Sequence, residues 1–129
     1  MTRTDSPSAV DLRFLQDLFA AVDSREAEKV APFVTDDVAF RFGSAEPTYG
    51  RADLVAASRE FSASIAGIHH TIIRAWGPEP GVAVVELQVT YRRHDGSEIT
   101  LPCCNIFRMR DGLVGDYRIY MDVAPVFSS

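Results

Sequence analysis

The residue pattern changes period at Gly67, and that change constrains the fold more than any other feature of the chain. Before it, apolar positions recur at helical spacing; after it, apolar and polar residues alternate. Upstream, Val10, Phe14, Leu15, Leu18, Phe19 and Val22 predict a first helix. Ser24, followed by Arg25-Glu26-Ala27-Glu28, predicts a cap opening a short second helix that runs to about Phe33. Val38–Phe42 reads as a strand, and Gly43 to Gly50 as a loop with a short return through Tyr49. A third helix is expected from about Ala52 to Ile65, with Leu54, Val55, Ser58, Phe61 and Ile65 on one face.

Downstream, Ile68–Trp76 reads as a strand closed by the breaker run Gly77-Pro-Glu-Pro-Gly81. Val82–Arg93, Glu98–Met109 and Leu113–Asp122 follow, joined by turns at His94–Ser97 and Asp111-Gly112. Helices followed by an antiparallel meander define an α+β domain with its helices gathered on one face of the sheet. Residues 9–125 form that single domain in this reading, with 1–8 a disordered N-terminus and 126–129 a tail.

Strand phase then assigns faces. Ala83, Val85, Leu87, Val89 and Tyr91 share the covered face, as do Ile99, Leu101, Cys103, Asn105, Phe107 and Met109. Asn105 is the exception, because burying an unpaired amide costs about 1–3 kcal/mol; it needs a partner from the protein or from a ligand. Tyr117, Ile119 and Met121 face the same way, so Tyr117 can place a hydroxyl in a cavity. The adjacency of His69 and His70 puts one inside and one outside, and a single bulge would exchange them. A histidine inside a pocket titrates near working pH, and a carboxylate beside it would orient its ring. Asp23 is the candidate carboxylate; its plainer reading is a cap for the second helix. Cys103 reads as a small buried hydrophobe, and Arg74 as a residue at the open end of the pocket with its head in water.

Composition excludes several classes. Thirteen basic residues against eighteen acidic ones leave a net charge of −5, and no basic run exceeds Arg92-Arg93, so neither nucleic acid nor an anionic membrane is an expected partner. No apolar run approaches the roughly 20 residues of a membrane span, and the first residues lack the apolar stretch of a signal peptide. Neighbouring Cys103 and Cys104 point to opposite faces and cannot form an ordinary disulfide. A reduced, cytoplasmic protein is expected. No metal-ligand spacing, phosphate loop or Gly-x-Ser-x-Gly elbow is present, and no metal or cofactor is expected.

With Val22-Asp23-Ser24-Arg25-Glu26, Phe33-Val-Thr-Asp-Asp37 and a closing meander ending Tyr117-Arg-Ile-Tyr-Met-Asp122, the chain resembles the SnoaL-like group of the nuclear transport factor 2-like superfamily. The resemblance covers about residues 9–125. It implies a cone-shaped α+β barrel, three N-terminal helices packed on a curved antiparallel sheet, with an apolar pocket entered from the wide end. It does not fix an activity, because one scaffold carries many chemistries. The places that hold catalytic residues in ketosteroid isomerase here carry Leu18, Arg41 or Phe42, and Asn105, so the base is missing. The epoxide hydrolase motif loses its aspartate to Ile119, and its partner falls on Glu86-Leu87-Gln88. The acid of the polyketide cyclases falls on Asn105. Scytalone dehydratase and similar dehydratases fit better: their aspartate, histidine and asparagine positions correspond to Asp23, His70 (or His69) and Asn105, although their second histidine has no counterpart.

The expected function is therefore a cofactor-free lyase or isomerase, of dehydratase or cyclase type, working on a small and largely apolar cyclic substrate of secondary metabolism. His70 would move the proton, Asp23 would orient it, and Asn105 with Tyr117 would position a carbonyl or hydroxyl. Tyr49 is a further hydroxyl candidate. Leu18, Phe33, Leu54, Phe61, Leu87, Val89, Phe107 and Ile119 would form the walls. The alternatives are a non-catalytic module that binds a small hydrophobic molecule or dimerises, and a cone closed by its own Leu18, Phe61 and Phe107. The outer sheet face, with Glu86, Gln88, Thr90, Thr100, Ile106, Arg118 and Tyr120, suits a homodimer.

Overall fold

The computed structural model describes residues 10–128; the segment expected to be disordered, 1–8, lies outside them. Helix α1 (Leu12–Asp23) starts where the Asp11 carboxylate accepts the Phe14 N–H at 3.0 Å, and it buries Leu15, Leu18 and Phe19 along one stripe. The stretch after it is not an α-helix opened by Ser24. Ser24 closes α1 instead, while its hydroxyl takes the Glu26 N–H. A 3-10 helix, Ala27–Phe33, follows. Its two buried residues, Ala27 and Val30, are three apart, as three residues per turn requires, and Pro32 offers no N–H to continue an α-helix.

Strand β1 (Val34–Phe42) begins four residues earlier than the alternation suggests. Val34 and Val38 are fully buried, and a register irregularity between Val34 and Ala39 hides the strand behind Thr35-Asp36-Asp37. A two-residue β2 (Thr48–Tyr49) returns beside it. Helix α2 (Arg51–Ala63) fully buries only Leu54, and Ile65 packs into the core just beyond it.

Four strands then form the expected meander: β3 (Gly67–Glu79), β4 (Val82–Arg92), β5 (Glu98–Arg110) and β6 (Leu113–Tyr120). Gly77 and Pro78 do not end β3. An edge strand tolerates a proline without a ladder N–H, and the register shifts between Trp76 and Glu79 accommodate it. Asp111 and Gly112 both take positive φ, the conformation of a two-residue hairpin turn. The sheet order is β2-β1-β6-β5-β4-β3, antiparallel throughout except that β1 lies parallel to β6.

The result is a mixed α+β fold, a curved and unclosed six-stranded sheet whose concave face is covered by the N-terminal helices. Beyond β6 a short helical turn, α3 (Ala124–Phe127), runs into the expected tail, buries Val126 and is held by the Arg93 guanidinium on the Pro125 and Val126 carbonyls. Among the described residues no helix is long and apolar enough to cross a membrane.

Candidate active site

The concave face is filled unevenly. Under α1 it is solid, and toward α2, whose apolar face is thin, it leaves a cavity of about 360 Å³. This cavity argues against the third reading, a cone closed by its own side chains. Phe40 and Phe42 of β1, Phe61 of α2, Tyr91 of β4, and Tyr117 and Ile119 of β6 form much of the wall. Arg25, Glu26, Glu60 and Ser62 stand among the polar lining residues.

His70 faces this cavity with its side chain 9% exposed, whereas His69 points outward at 73%. Asp23, the last residue of α1, reaches the ring from behind. Its Oδ1 lies 2.6 Å from His70 Nδ1, and its Oδ2 accepts the His70 backbone N–H at 3.0 Å. The second bond has a simple cause: β3 is an edge strand, so an N–H on its open side has no ladder partner, and the carboxylate supplies one. Phe19 stacks on the imidazole, with centroids 4.9 Å apart and planes at 18°. The ring is thus fixed from one face and one edge, and Nε2 makes no hydrogen bond among the described residues.

Asn105 is the one buried polar residue among the described residues, and it lines the cavity. Its Oδ1 accepts the Cys103 thiol at 3.3 Å, which leaves the Nδ2 hydrogens for a ligand. Tyr117 packs edge-on between Phe40 and Phe107 and also lines the cavity. The Tyr91 hydroxyl is committed to Met121 Sδ at 3.2 Å. Burial, then Cys103 and the Asp23 charge, hold both phenols well above their ordinary range. Burial, then Cys104, pushes the Cys103 thiol up to about 12. The cavity lining from β4, β5 and β6 is therefore neutral and hydrogen-bonding, while the ionisable lining residues Arg25, Glu26 and Glu60 come from the helical side.

Of the residues expected at the site, His70, Asn105, Tyr117, Leu54, Phe61 and Ile119 line the cavity, with Asp23 behind His70. Leu18, Leu87, Val89 and Phe107 do not; they face inward, as their phase predicts, but lie in the solid core. Phe33 packs edge-on against Phe14 outside the cavity, and Tyr49, at the sheet margin, is 66% exposed. Asp23 is the end of α1 rather than a cap for the next helix. Arg74 is also displaced: an extra residue at Ile73 turns it to the outer face, over Trp76 and beside Glu86. The irregularity falls after His70, so it moves Arg74 and leaves the histidine pair as the alternation places it.

Phe40, Phe42 and Arg25 were not legible as cavity residues, and Tyr91, Cys103 and Met121 were legible only as inward-facing ones. The alternation Phe40-Arg41-Phe42 hints at a shared face, but only the pairing of β1 with β6 sets Phe40 against Tyr117 and Phe42 against Ile119. Among the described residues, no group of three or more His, Cys, Asp or Glu is arranged to hold a metal ion.

An α+β cone with this hollow end is a known architecture. Residues 15–117 match the SnoaL-like domain, and the chain belongs to that family. No curated protein matches the sequence. Among solved structures, the fold is similar to that of a candidate SnoaL-like polyketide cyclase from Jannaschia sp. CCS1, at TM-score 0.81 and 16% identity, covering 98% of this chain and 95% of that one. It is also similar to a hypothetical protein with a ketosteroid isomerase-like fold from Catenulispora acidiphila DSM 44928, in complex with trimethylamine, at TM-score 0.79 and 15% identity over 88% of each chain. An LEH-like epoxide hydrolase of M. tuberculosis aligns at TM-score 0.74 and 17% identity, covering 89% of this chain and 84% of its own. Identities this low speak for the fold alone.

Proposed function

We propose that the protein is a lyase or isomerase that works by acid/base catalysis on a small, largely apolar cyclic molecule bound in the cavity, with no cofactor. The observation that carries this reading is the 2.6 Å contact between Asp23 Oδ1 and His70 Nδ1, with the other ring nitrogen left to the cavity. A carboxylate on Nδ1 favours the tautomer with its proton there, so Nε2 keeps its lone pair and acts as a base. Nε2 takes a proton from carbon next to a carbonyl. Asn105 Nδ2 and the Tyr117 hydroxyl donate to the oxygen where charge develops. The imidazolium then gives its proton to a departing hydroxyl, which is dehydration, or returns it to another carbon, which is isomerisation. The aromatic wall suits a ring.

The test is a panel of cyclic β-hydroxy ketones and β,γ-unsaturated ketones, followed by the absorbance of the conjugated enone. At least one is expected to turn over, and His70→Gln is expected to lower kcat about 100-fold or more. Turnover that stays within about threefold in the variant would refute the role of His70.

A second reading, a binding module of the same fold, draws on a different observation: the polar lining contributed by β4, β5 and β6 is neutral phenols, a thiol and an amide, facing a single Asp23–His70 pair. Panel members that raise the melting temperature and are recovered unchanged would favour it. We also propose that two copies pair through the outer sheet face, in a reducing compartment such as the cytoplasm, where Cys103 and Cys104 stay free.

A further inference from the structure

Asp23 touches a histidine on each side of the sheet. Inside, Oδ1 meets His70 Nδ1 at 2.6 Å; outside, Oδ2 lies 3.5 Å from His69 Nδ1. Successive residues of a strand point to opposite faces, so one carboxylate ordinarily cannot serve both. Here it can, because β3 is an edge strand and the end of α1 brings Asp23 to the open edge, between the two faces. Exposure falls steadily along the series, from 73% for His69 to 18% for Asp23 and 9% for His70. Outside, Asp23 and His69 share a second, shallow crevice with Arg25, Arg92 and Glu98. Both arginines are bonded to backbone carbonyls, Arg25 to Ser62 and Ile65, Arg92 to Ala66, and neither forms an ion pair with Asp23 among the described residues.

We propose that His69 is the outer end of a proton relay, His70–Asp23–His69, connecting the cavity to bulk water by a route that does not use the cavity mouth. It rests on the reading of His70 as the acid/base group. When Nε2 takes a proton from a ligand, the imidazolium passes its Nδ1 proton to the Asp23 carboxylate. The neutral carboxyl, its proton moved from Oδ1 to Oδ2, gives it to His69 Nδ1, and His69 releases its Nε2 proton to water. One bond to hydrogen breaks and one forms at each step, His70 and Asp23 end with the charges they began with, and the reverse passage restores the proton to His70 Nδ1. Dehydration and isomerisation return the proton inside the cavity, so the relay carries no net proton per turnover; it lets His70 equilibrate with water while a bound molecule closes the direct path to solvent. His69 acts through Asp23 and touches no ligand, so it is a positioning and proton-transfer residue rather than a catalytic one.

The experiment needs no substrate, so its failure is separate from that of the proposed activity. The proton between His70 Nδ1 and Asp23 is followed by ¹⁵N-edited NMR, and its exchange with water is measured by saturation transfer in the full chain, in His69→Ala, and in His69→Ala with added imidazole. His69 is exposed, so the variant folds; an unshifted resonance confirms that the Asp23–His70 bond survives. The expected result is exchange slowed about tenfold or more in His69→Ala and restored by imidazole, which takes the place of the missing ring in the outer crevice. A resonance broadened away in the native protein and recovered in the variant carries the same meaning. Equal exchange in both proteins, including rapid exchange in both, overturns the relay. So does slowing that imidazole leaves unrepaired, because a merely structural effect of His69 would not respond to a diffusing base.

Discussion

Asp23, His70, Cys103 and Asn105 meet at the candidate site, bonded in two pairs, and Cys103 carries a consequence of its own. Cys103 faces the cavity, yet its thiol is pushed up to about 12, chiefly by burial, and the thiolate is the reactive form. Iodoacetamide at pH 8 is expected to modify Cys103 at least about a hundredfold more slowly in the native protein than in urea-unfolded chains, where the thiol titrates near 8.5. Mass spectrometry after timed quenching reads the difference, and equal rates would contradict the burial argument. The same groups set an alkaline limit. Below the unfolded thiol value both states hold their protons and Cys103 adds no pH dependence to stability. Above it the unfolded chain loses the proton and the folded one keeps it, so stability falls as pH rises toward 12. Tyr91 and Tyr117 extend the fall, because their folded phenols are likewise raised. Urea midpoints that stay level from pH 8 to 10.5 would count against this.

Among the elements, α2 is held in an unusual way. Its fully buried residue is Leu54, and polar ties supply much of the rest: Arg51 to the Val34 carbonyl and Asp36, Arg59 to Glu28, and Arg25 to the Ser62 and Ile65 carbonyls at its C-terminal end. Arg25 itself sits at φ 61°, left-handed for a residue with a side chain. Leu54→Ala is expected to cost about 2–5 kcal/mol through the void it leaves. Arg25→Met is expected to cost about 1–3 kcal/mol, since two carbonyls lose a charged donor, and to speed amide exchange most at residues 62–66. Denaturant unfolding and hydrogen exchange separate the two effects. If Arg25→Met left exchange at 62–66 unchanged, the guanidinium would not be what holds that end of α2.

At the scale of the whole molecule, the two faces of the sheet divide the labour. The concave face holds the core and the cavity; the convex face is mixed, with Tyr120 50% exposed opposite Cys104 and with Ile106 and the Thr90–Thr100 pair further along it. Pairing through that face predicts a particle of twice the chain mass in light scattering after size exclusion. Tyr120→Glu is expected to shift it to the monomer without lowering the melting temperature of the monomer itself, because the side chain lies outside the core. A native protein that runs as a monomer at all concentrations would remove the dimer from the account.

The sequence by itself determined the order of helices and strands, the hairpin at Asp111-Gly112, the inward faces of β4, β5 and β6, Asn105 as an inward polar group, and that one of His69 and His70 faces in. All of these follow from period and turn chemistry, which are local. It did not separate the filled half of the concave face from the hollow half, so Leu87, Val89 and Phe107 were grouped with true cavity residues such as Ile119. Nor did it place Phe40 and Phe42, whose neighbours are set by a parallel pairing with a strand some seventy-five residues later. The bulge at Ile73 and the 3-10 turn at Ala27–Phe33 likewise leave weak marks on periodicity. The position of Asp23 between two histidines was decided by tertiary structure alone. It needs the end of α1 to meet the open edge of β3, and no local pattern encodes which strand of a sheet is left at the edge.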